Sequence, residues 1–328
     1  MISLAVRRES WPIAGTFTIS RGSKTEADVV VVELTDGVVF GRGECTPYAR
    51  YGETAAGVIV AIERLAPQIR DGLDRFSLQQ VLPAGAARNA LDCALIDLEA
   101  KRRGCPAHVL LGLAAARPRV TAYTISLASP DAMAAAAAAA SGAGRPLLKV
   151  KLGAEGDSQR IAAVRLAAPQ AELIVDANEG WRADNLETNL AACTARGVRL
   201  VEQPLPAAED SALAVVARAI PVCADESVHD RATLAALRGK YDVINIKLDK
   251  AGGLTEAIAL AAAARAMGFG IMVGCMISTS LSIAPALLLA SDAQFVDLDG
   301  PLLLKQDRAH AVRFEGSVVH PASADLWG

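Results

Sequence analysis

Six charged residues close five short apolar runs. They are Lys149 and Lys151 in KVKL (149–152), Asp176 in VDAN (175–178), Glu202 in VEQP (201–204), Asp225 in ADES (224–227) and Lys247 in NIKL (245–248). Their order is lysine, three carboxylates, lysine. Carboxylates brought to one place repel one another unless a cation sits among them. Oxygen-only donors select a hard ion, and Mg²⁺ keeps positions open for water or substrate oxygens. A lysine on each side of such an ion could take a proton from one face of a carbon and return it to the other. Each residue alone has a plainer reading: Asp176, Glu202 or Asp225 as a helix N-cap, KVK as a solvated strand, Lys247 as the partner of a nearby acid. The series is what argues against those readings. Alternation along a strand puts Lys149 and Lys151 on one face, where Lys149 would depress the Lys151 ammonium from its usual value of about 10.4. A second acidic pair, Asp297 and Asp299 in VDLDGP, also shares a face. It reads either as solvated rim carboxylates or as a dock for a cationic group such as an α-ammonium. GFGIMVG at 268–274 does not match a nucleotide-binding fingerprint.

Something must carry these groups to one rim. Strand-like runs at 120–127, 147–152, 172–177, 199–203, 221–225, 243–248, 270–274 and 294–298 alternate with helix-like segments, which predicts a parallel (β/α)₈-type barrel. Such barrels place chemistry at the C-terminal ends of their strands, where the charged residues lie. In that geometry the second and sixth strands, carrying Lys151 and Lys247, stand nearly opposite. The Ala-rich run 131–140 reads as a crossover helix, because alanine is the best helix former.

The preceding residues form an α+β unit. Strands are predicted at 2–8, 28–35 and 38–43, with Asp36-Gly37 as a hairpin turn. Helices are predicted at 54–70, 77–82 and 84–103. TFTISRGSKTE between the first two strands is polar and reads as a mobile loop; GRGECTPYARYGE at 41–53 is a second loop, carrying Tyr48 and Tyr51. The expected division is a capping domain at 1–115, completed by a returning tail at 306–328, and a barrel domain at 116–305.

Composition narrows the class. The chain has 328 residues, 52% of them hydrophobic, enough for a barrel and a smaller domain. A net charge of −3 gives no electrostatic case for nucleic acid. No apolar run suits a membrane helix or a signal peptide. The six cysteines form no CxxC pair, in keeping with reduced thiols, and the four histidines are dispersed, so no zinc site is visible. A cytoplasmic enzyme is the expectation.

KVK, DAN, VEQP, ADES and NIKLDKAGG, in that order, resemble the barrel-strand motifs of the enolase superfamily, in its muconate-lactonizing-enzyme subgroup. The Asp297/Asp299 pair and the loops FTISRGSKTEADVVVVEL and GRGECTPYARYGE resemble those of dipeptide epimerases, most closely the L-Ala-D/L-Glu branch. That resemblance implies a 1,1-proton transfer on a small dipeptide substrate, with Lys151 and Lys247 as the bases and Mg²⁺ held by Asp176, Glu202 and Asp225. It implies an ammonium site at Asp297 and Asp299, a glutamate side-chain contact at Arg21, a further substrate contact at Lys149, and Tyr48 and Tyr51 on a substrate loop. Alternatives on the same scaffold are epimerases for hydrophobic or cationic dipeptides, o-succinylbenzoate synthase and muconate cycloisomerase. A metal-binding barrel without turnover would need a broken catalytic set. A homo-oligomer is compatible with the sequence, though no interface is legible in it.

Overall fold

The structure is a computed structural model and describes residues 1–328. Its N-terminal part is a three-stranded antiparallel sheet of β1 (Ser3–Ile19), β2 (Gly22–Thr35) and β3 (Phe40–Cys45). The run VVVVEL in β2 is apolar on both faces because both are covered. Val29 and Val31 join the barrel-side core, while Val30, Val32 and Leu34 join a core shared with the cap helices. Asp36 makes the expected turn, its Oδ1 accepting the amides of Val38 and Val39.

The stretch predicted as a mobile loop is instead the tip of the long β1–β2 hairpin, with Phe17 opposite Lys24, Thr18 opposite Ser23, and only Ser20 and Arg21 in the turn. This part of the ribbon is largely solvent-exposed, so its residues carry no burial alternation to reveal a strand. Tertiary contacts fix it, among them the Leu127 amide donating to the Thr18 carbonyl.

The helix expected over 54–70 is two, α1 (Ala55–Glu63) and α2 (Ala66–Arg70), with Pro67 in the first turn of the second. After α3 (Arg75–Val81), α4 (Ala86–Arg103) lies against β3. The approach is so close that a Cβ on Gly43 would stand 2.1 Å from the Ala90 carbonyl oxygen.

A short helix, α5 (Ala107–Leu110), and strand β4 (Arg119–Val120) lead into the barrel. Its eight parallel strands are β5 (Tyr123–Ile125), β6 (Leu147–Lys151), β7 (Glu172–Asp176), β8 (Val198–Glu202), β9 (Val222–Ala224), β10 (Val243–Ile246), β11 (Gly270–Gly274) and β12 (Phe295–Asp297). The ring is brought together between its first and last strands by the Ala122 amide, which donates to the Val296 carbonyl. The Ala-rich run is helix α6 (Pro130–Gly142), and α7 (Asp157–Ala167), α8 (Leu186–Ala195), α10 (Leu254–Ala266) and α11 (Ser280–Ala290) cover other crossovers. A single turn, α9 (Leu248–Ala251), follows β10 directly. The crossovers after β8 and β9 carry no α-helix, only 3₁₀ segments at Asp210–Ala214 and Arg231–Leu237. Pro204, Pro206 and Pro221 bound the first of these connections.

Inside the barrel, Ala122, Ile174, Leu200, Cys223, Val243 and Met272 pack as an apolar layer. Two residues further along β7, β8 and β10 the same inward face carries Asp176, Glu202 and Asn245, so the charged layer sits on an apolar floor.

The tail divides its contacts. β13 (Phe314–Glu315) and β14 (Val318–Val319) form a small sheet with β4. The last residues dock on α4, with the Gly328 amide on Asp97 Oδ1 and the Trp327 indole N–H on the Cys93 carbonyl. Across the cap–barrel seam, buried Glu44 accepts from the Thr279 amide and from Arg308. No helix is long and apolar enough to cross a membrane.

Candidate active site

Asp176 and Glu202 are the last residues of adjacent strands and lie opposite each other in register; Asp225 follows β9 by one residue. All three are buried, and one oxygen from each can lie within 4.8 Å of the others. Lysines face them. Lys151 Nζ is 2.7 Å from Asp176 Oδ2, and Lys247 Nζ is 2.7 Å from Asp225 Oδ2. Lys149, 1% exposed, stands 2.6 Å from Glu202 Oε2, 2.7 Å from Asp297 Oδ2 and 3.2 Å from Asp176 Oδ2.

The remaining oxygen of each carboxylate is held from behind. Asp176 Oδ1 accepts the Asn178 amide at 2.9 Å, Glu202 Oε1 accepts Asn245 Nδ2 at 2.7 Å, and Asp225 Oδ1 accepts Lys250 Nζ at 2.5 Å. Three oxygens are thereby turned inward.

The charge balance suits a cation. Burial, together with the negative charge of Asp176, pushes Glu202 up to about 7 even with Lys149 beside it. Burial would raise Asp225 too, but Lys247, Lys250 and Lys149 hold it well below the usual range. Burial alone would depress Lys149 and Lys247; the carboxylates around them, Asp297 foremost for the former and Asp225 for the latter, keep both well above the ordinary lysine value. The proximity of Lys149 to Glu202 Oε2 lacks hydrogen-bond alignment, leaving that oxygen without a hydrogen-bond partner. Oxygen donors only, crowded and one of them orphaned, fit a hard divalent ion. Lys149 differs from its sequence-based expectation: three carboxylates neutralise it, so it is not a free positive charge beside Lys151.

These groups form the floor of a cavity of about 450 Å³ between barrel and cap. Lys151, Lys247, Lys149, Asp225, Asp297 and Asp299 line it from below; Arg21, Tyr48 and Tyr51 line it from the cap. Asp297 Oδ1 has no hydrogen-bond partner. Asp299 Oδ2 accepts the Thr124 amide, and burial with the neighbouring Asp297 charge pushes this acid up to about 7. Every residue singled out in the sequence therefore belongs to one site, with Asp176 and Glu202 just behind its surface.

Arg21 is more engaged than a loop residue would be. Its guanidinium donates to the Asn178 carbonyl at 2.8 Å, Glu226 Oε1 at 2.7 Å and the Tyr48 hydroxyl at 2.9 Å, and meets Glu179 at 3.2 Å. Tyr51 lies edge-on to His229, with ring centroids 4.7 Å apart. Lys24, three residues past the hairpin turn, lines the same wall 5.5 Å from the Tyr48 ring centre.

Sequence reasoning passed over Asn178, Lys24, Glu226, Asn245 and Lys250. For Lys250 a signal existed, since it lies one helical turn beyond Lys247. Strand periodicity pairs Lys247 with Asp249 instead, but β10 ends at Ile246 and helix α9 begins at Leu248. Asp249 consequently turns to the cap, accepting the Thr46 amide and Asn89 Nδ2, while Lys250 comes under Asp225.

Residues 1–112 match the model of the mandelate racemase / muconate lactonizing enzyme N-terminal domain, and residues 131–320 match that of the enolase C-terminal domain-like family. The chain is 49% identical to the L-Ala-D/L-Glu epimerase of Escherichia coli K12, over 98% of this chain and all of that one. It is 45% identical to an N-acetyl-D-glutamate racemase of Pseudoalteromonas, over 92% and 95% of the two chains. A crystal structure of an enolase family member from Agrobacterium tumefaciens, described as homologous to dipeptide epimerases and holding sodium and L-Ala-L-Glu, superposes over the full length of both chains with a TM-score of 0.97 at 54% identity. More distant dipeptide epimerases of this fold have been solved with Mg and a dipeptide.

Proposed function

This chain belongs to the mandelate racemase / muconate lactonizing enzyme family of the enolase superfamily, and we propose that it epimerises dipeptides, with L-Ala-D/L-Glu as substrate, by proton transfer between two lysines. The observation that carries this reading is the placement of Lys151 and Lys247 at the C-terminal ends of the second and sixth barrel strands, Lys151 as the last residue of β6 and Lys247 directly after β10. Each contacts a different member of the carboxylate triad, and both border one cavity. Lys151 removes or returns the α-proton from one face, Lys247 from the other. The inward oxygens of Asp176, Glu202 and Asp225 would hold Mg²⁺, which would supply charge stabilisation to the substrate carboxylate. Removing a proton α to a carboxylate requires the site to contribute on the order of 15 kcal/mol or more, and two positioned bases account for part of that.

The α-ammonium binds at Asp297 and Asp299, where Asp297 Oδ1 lacks a partner. This favours a free dipeptide over the N-acetylated amino acid named for the Pseudoalteromonas relative, which has no cation to offer that oxygen. The glutamate side chain extends toward Arg21 and Lys24 under the hairpin tip. Lys149 holds Asp297 from below and completes the polar floor.

The test is incubation of L-Ala-L-Glu with the protein and Mg²⁺ in D₂O. Deuterium at the glutamate α-carbon together with L-Ala-D-Glu is the expected result. Exchange on N-acetylglutamate, with none on any free dipeptide, would overturn the reading in favour of an N-acylamino-acid racemase.

A further inference from the structure

The three carboxylates are held from behind by different kinds of donor: a backbone amide for Asp176, a carboxamide for Glu202 and an ammonium for Asp225. A buried ammonium is a costly way to orient an oxygen when an amide serves for the other two. Lys250 is 1% exposed on its side chain and does not line the cavity. Its Nζ donates to Asp225 Oδ1, to the Asp225 carbonyl and to the Asn245 carbonyl, which uses all three of its N–H groups. By gripping the carbonyl and the carboxylate of one residue, it fixes the plane of the Asp225 carboxyl and leaves Oδ2 toward the cavity.

Lys247 meets that same Oδ2 at 2.7 Å. The two lysines are three residues apart across the start of α9, a spacing that puts them on one side of a helical turn. They therefore hold Asp225 by opposite oxygens, Lys247 from the cavity and Lys250 from the protein. Lys151 has no such arrangement, since its partner Asp176 is oriented by the Asn178 backbone.

We propose that Lys250 is a positioning residue that locks Asp225, and through it Lys247, so that its loss weakens the metal site and disables the Lys247 face of the reaction selectively. Asn245 makes a contrast. It orients Glu202, which touches neither base, and fills the space beside Gly274, where a Cβ would stand 2.5 Å from its Oδ1. Its loss should affect both faces alike.

The inference rests on the epimerase reading for its kinetic half only. Lys250→Met and Lys250→Gln would be titrated with Mg²⁺ by calorimetry. α-Proton exchange of L-Ala-L-Glu and L-Ala-D-Glu would then be followed in D₂O at saturating Mg²⁺. Lys151→Ala and Lys247→Ala report which enantiomer depends on which base. The expected result is an Mg²⁺ affinity lowered about 10- to 100-fold, the usual range for losing a partner of a metal ligand. Exchange of the Lys247-dependent enantiomer should fall about 10-fold further than that of the other, whereas Asn245→Ala lowers both equally. Lys250→Arg, which keeps the charge and several donors, should recover much of the affinity. Parental Mg²⁺ affinity in Lys250→Met, or equal losses on both faces, would overturn the proposal. So would loss of the cooperative melting transition in all three Lys250 variants, which would make the lysine purely structural. If the parent exchanges no dipeptide proton, the epimerase reading fails and calorimetry still decides the role of Lys250.

Discussion

Asp297 offers a quantitative test of how the substrate is held. One of its oxygens is taken by Lys149 at 2.7 Å, and the other, buried beside Asp299, has no hydrogen-bond partner. A substrate ammonium about 4 Å away would attract it by roughly 4 kcal/mol at an effective dielectric of about 20. Desolvation returns much of that, and hydrogen bonds to charged groups contribute about 1.5–3 kcal/mol net. At 1.4 kcal/mol per factor of ten, this is roughly 10- to 150-fold in kcat/KM. The measurement is a cycle of two proteins and two substrates: parent and Asp297→Asn, each with L-Ala-L-Glu and N-acetyl-L-Ala-L-Glu. Disturbance of Lys149 in the variant affects both substrates and cancels in the ratio of ratios. The parent should prefer the free dipeptide by a factor in that range, and Asp297→Asn should lose most of the preference. Equal rates on the two substrates in the parent, or an unchanged ratio in the variant, would refute the ammonium site.

Lys151→Ala and Lys247→Ala should each lower epimerisation by about 10²- to 10⁴-fold, the usual contribution of a general base; deuterium exchange confined to one enantiomer per variant is the check, and exchange of both in either variant speaks against two bases. Replacing Asp176 or Asp225 by Asn, or exhaustive chelation of the parent, should abolish turnover, and added Mg²⁺ should restore only the chelated parent; Mg²⁺ calorimetry separates lost binding from misfolding. Lys24→Ala should narrow the preference for L-Ala-L-Glu over L-Ala-L-Leu by about tenfold, in line with loss of a charge-assisted contact. Arg21→Ala should narrow it as well and also speed amide exchange over residues 17–24, because Arg21 anchors the hairpin tip; an unchanged preference in both variants removes the acidic side-chain site. Asp249 concerns stability. Burial pushes its acid from 3.8 up to about 7. A carboxyl raised in the folded state takes up a proton on folding between those values, so its contribution is full at acid pH and is lost as pH rises toward 7, by on the order of a few kcal/mol. Asp249→Asn should lack that component, seen as a flatter denaturation free energy from pH 5 to 7.5; an unchanged slope would show that Asp249 does not titrate there.

The sequence by itself determined the barrel and the line of groups on its rim. Strand alternation is a local rule, so a charged residue at the end of an apolar run is read directly as facing the same way as the apolar residue two before it. Asp176 above Ile174 and Glu202 above Leu200 follow that rule. Residues whose role comes from contacts distant in sequence left no such trace. The hairpin tip at 17–24 is an exposed ribbon ordered by Ser126, Asn178 and Glu226, between 108 and 205 residues away, and a polar segment shows nothing of such partners. Arg21 reads as an ordinary loop arginine until those partners are in place. Lys250, and not Asp249, comes to the site because α9 starts at Leu248, and a change of period from two to 3.6 residues turns every later side chain to a different direction. Tertiary structure alone decided which lysine touches which carboxylate, because three acids crowded into one buried place are oriented by whichever donors the packing brings behind them.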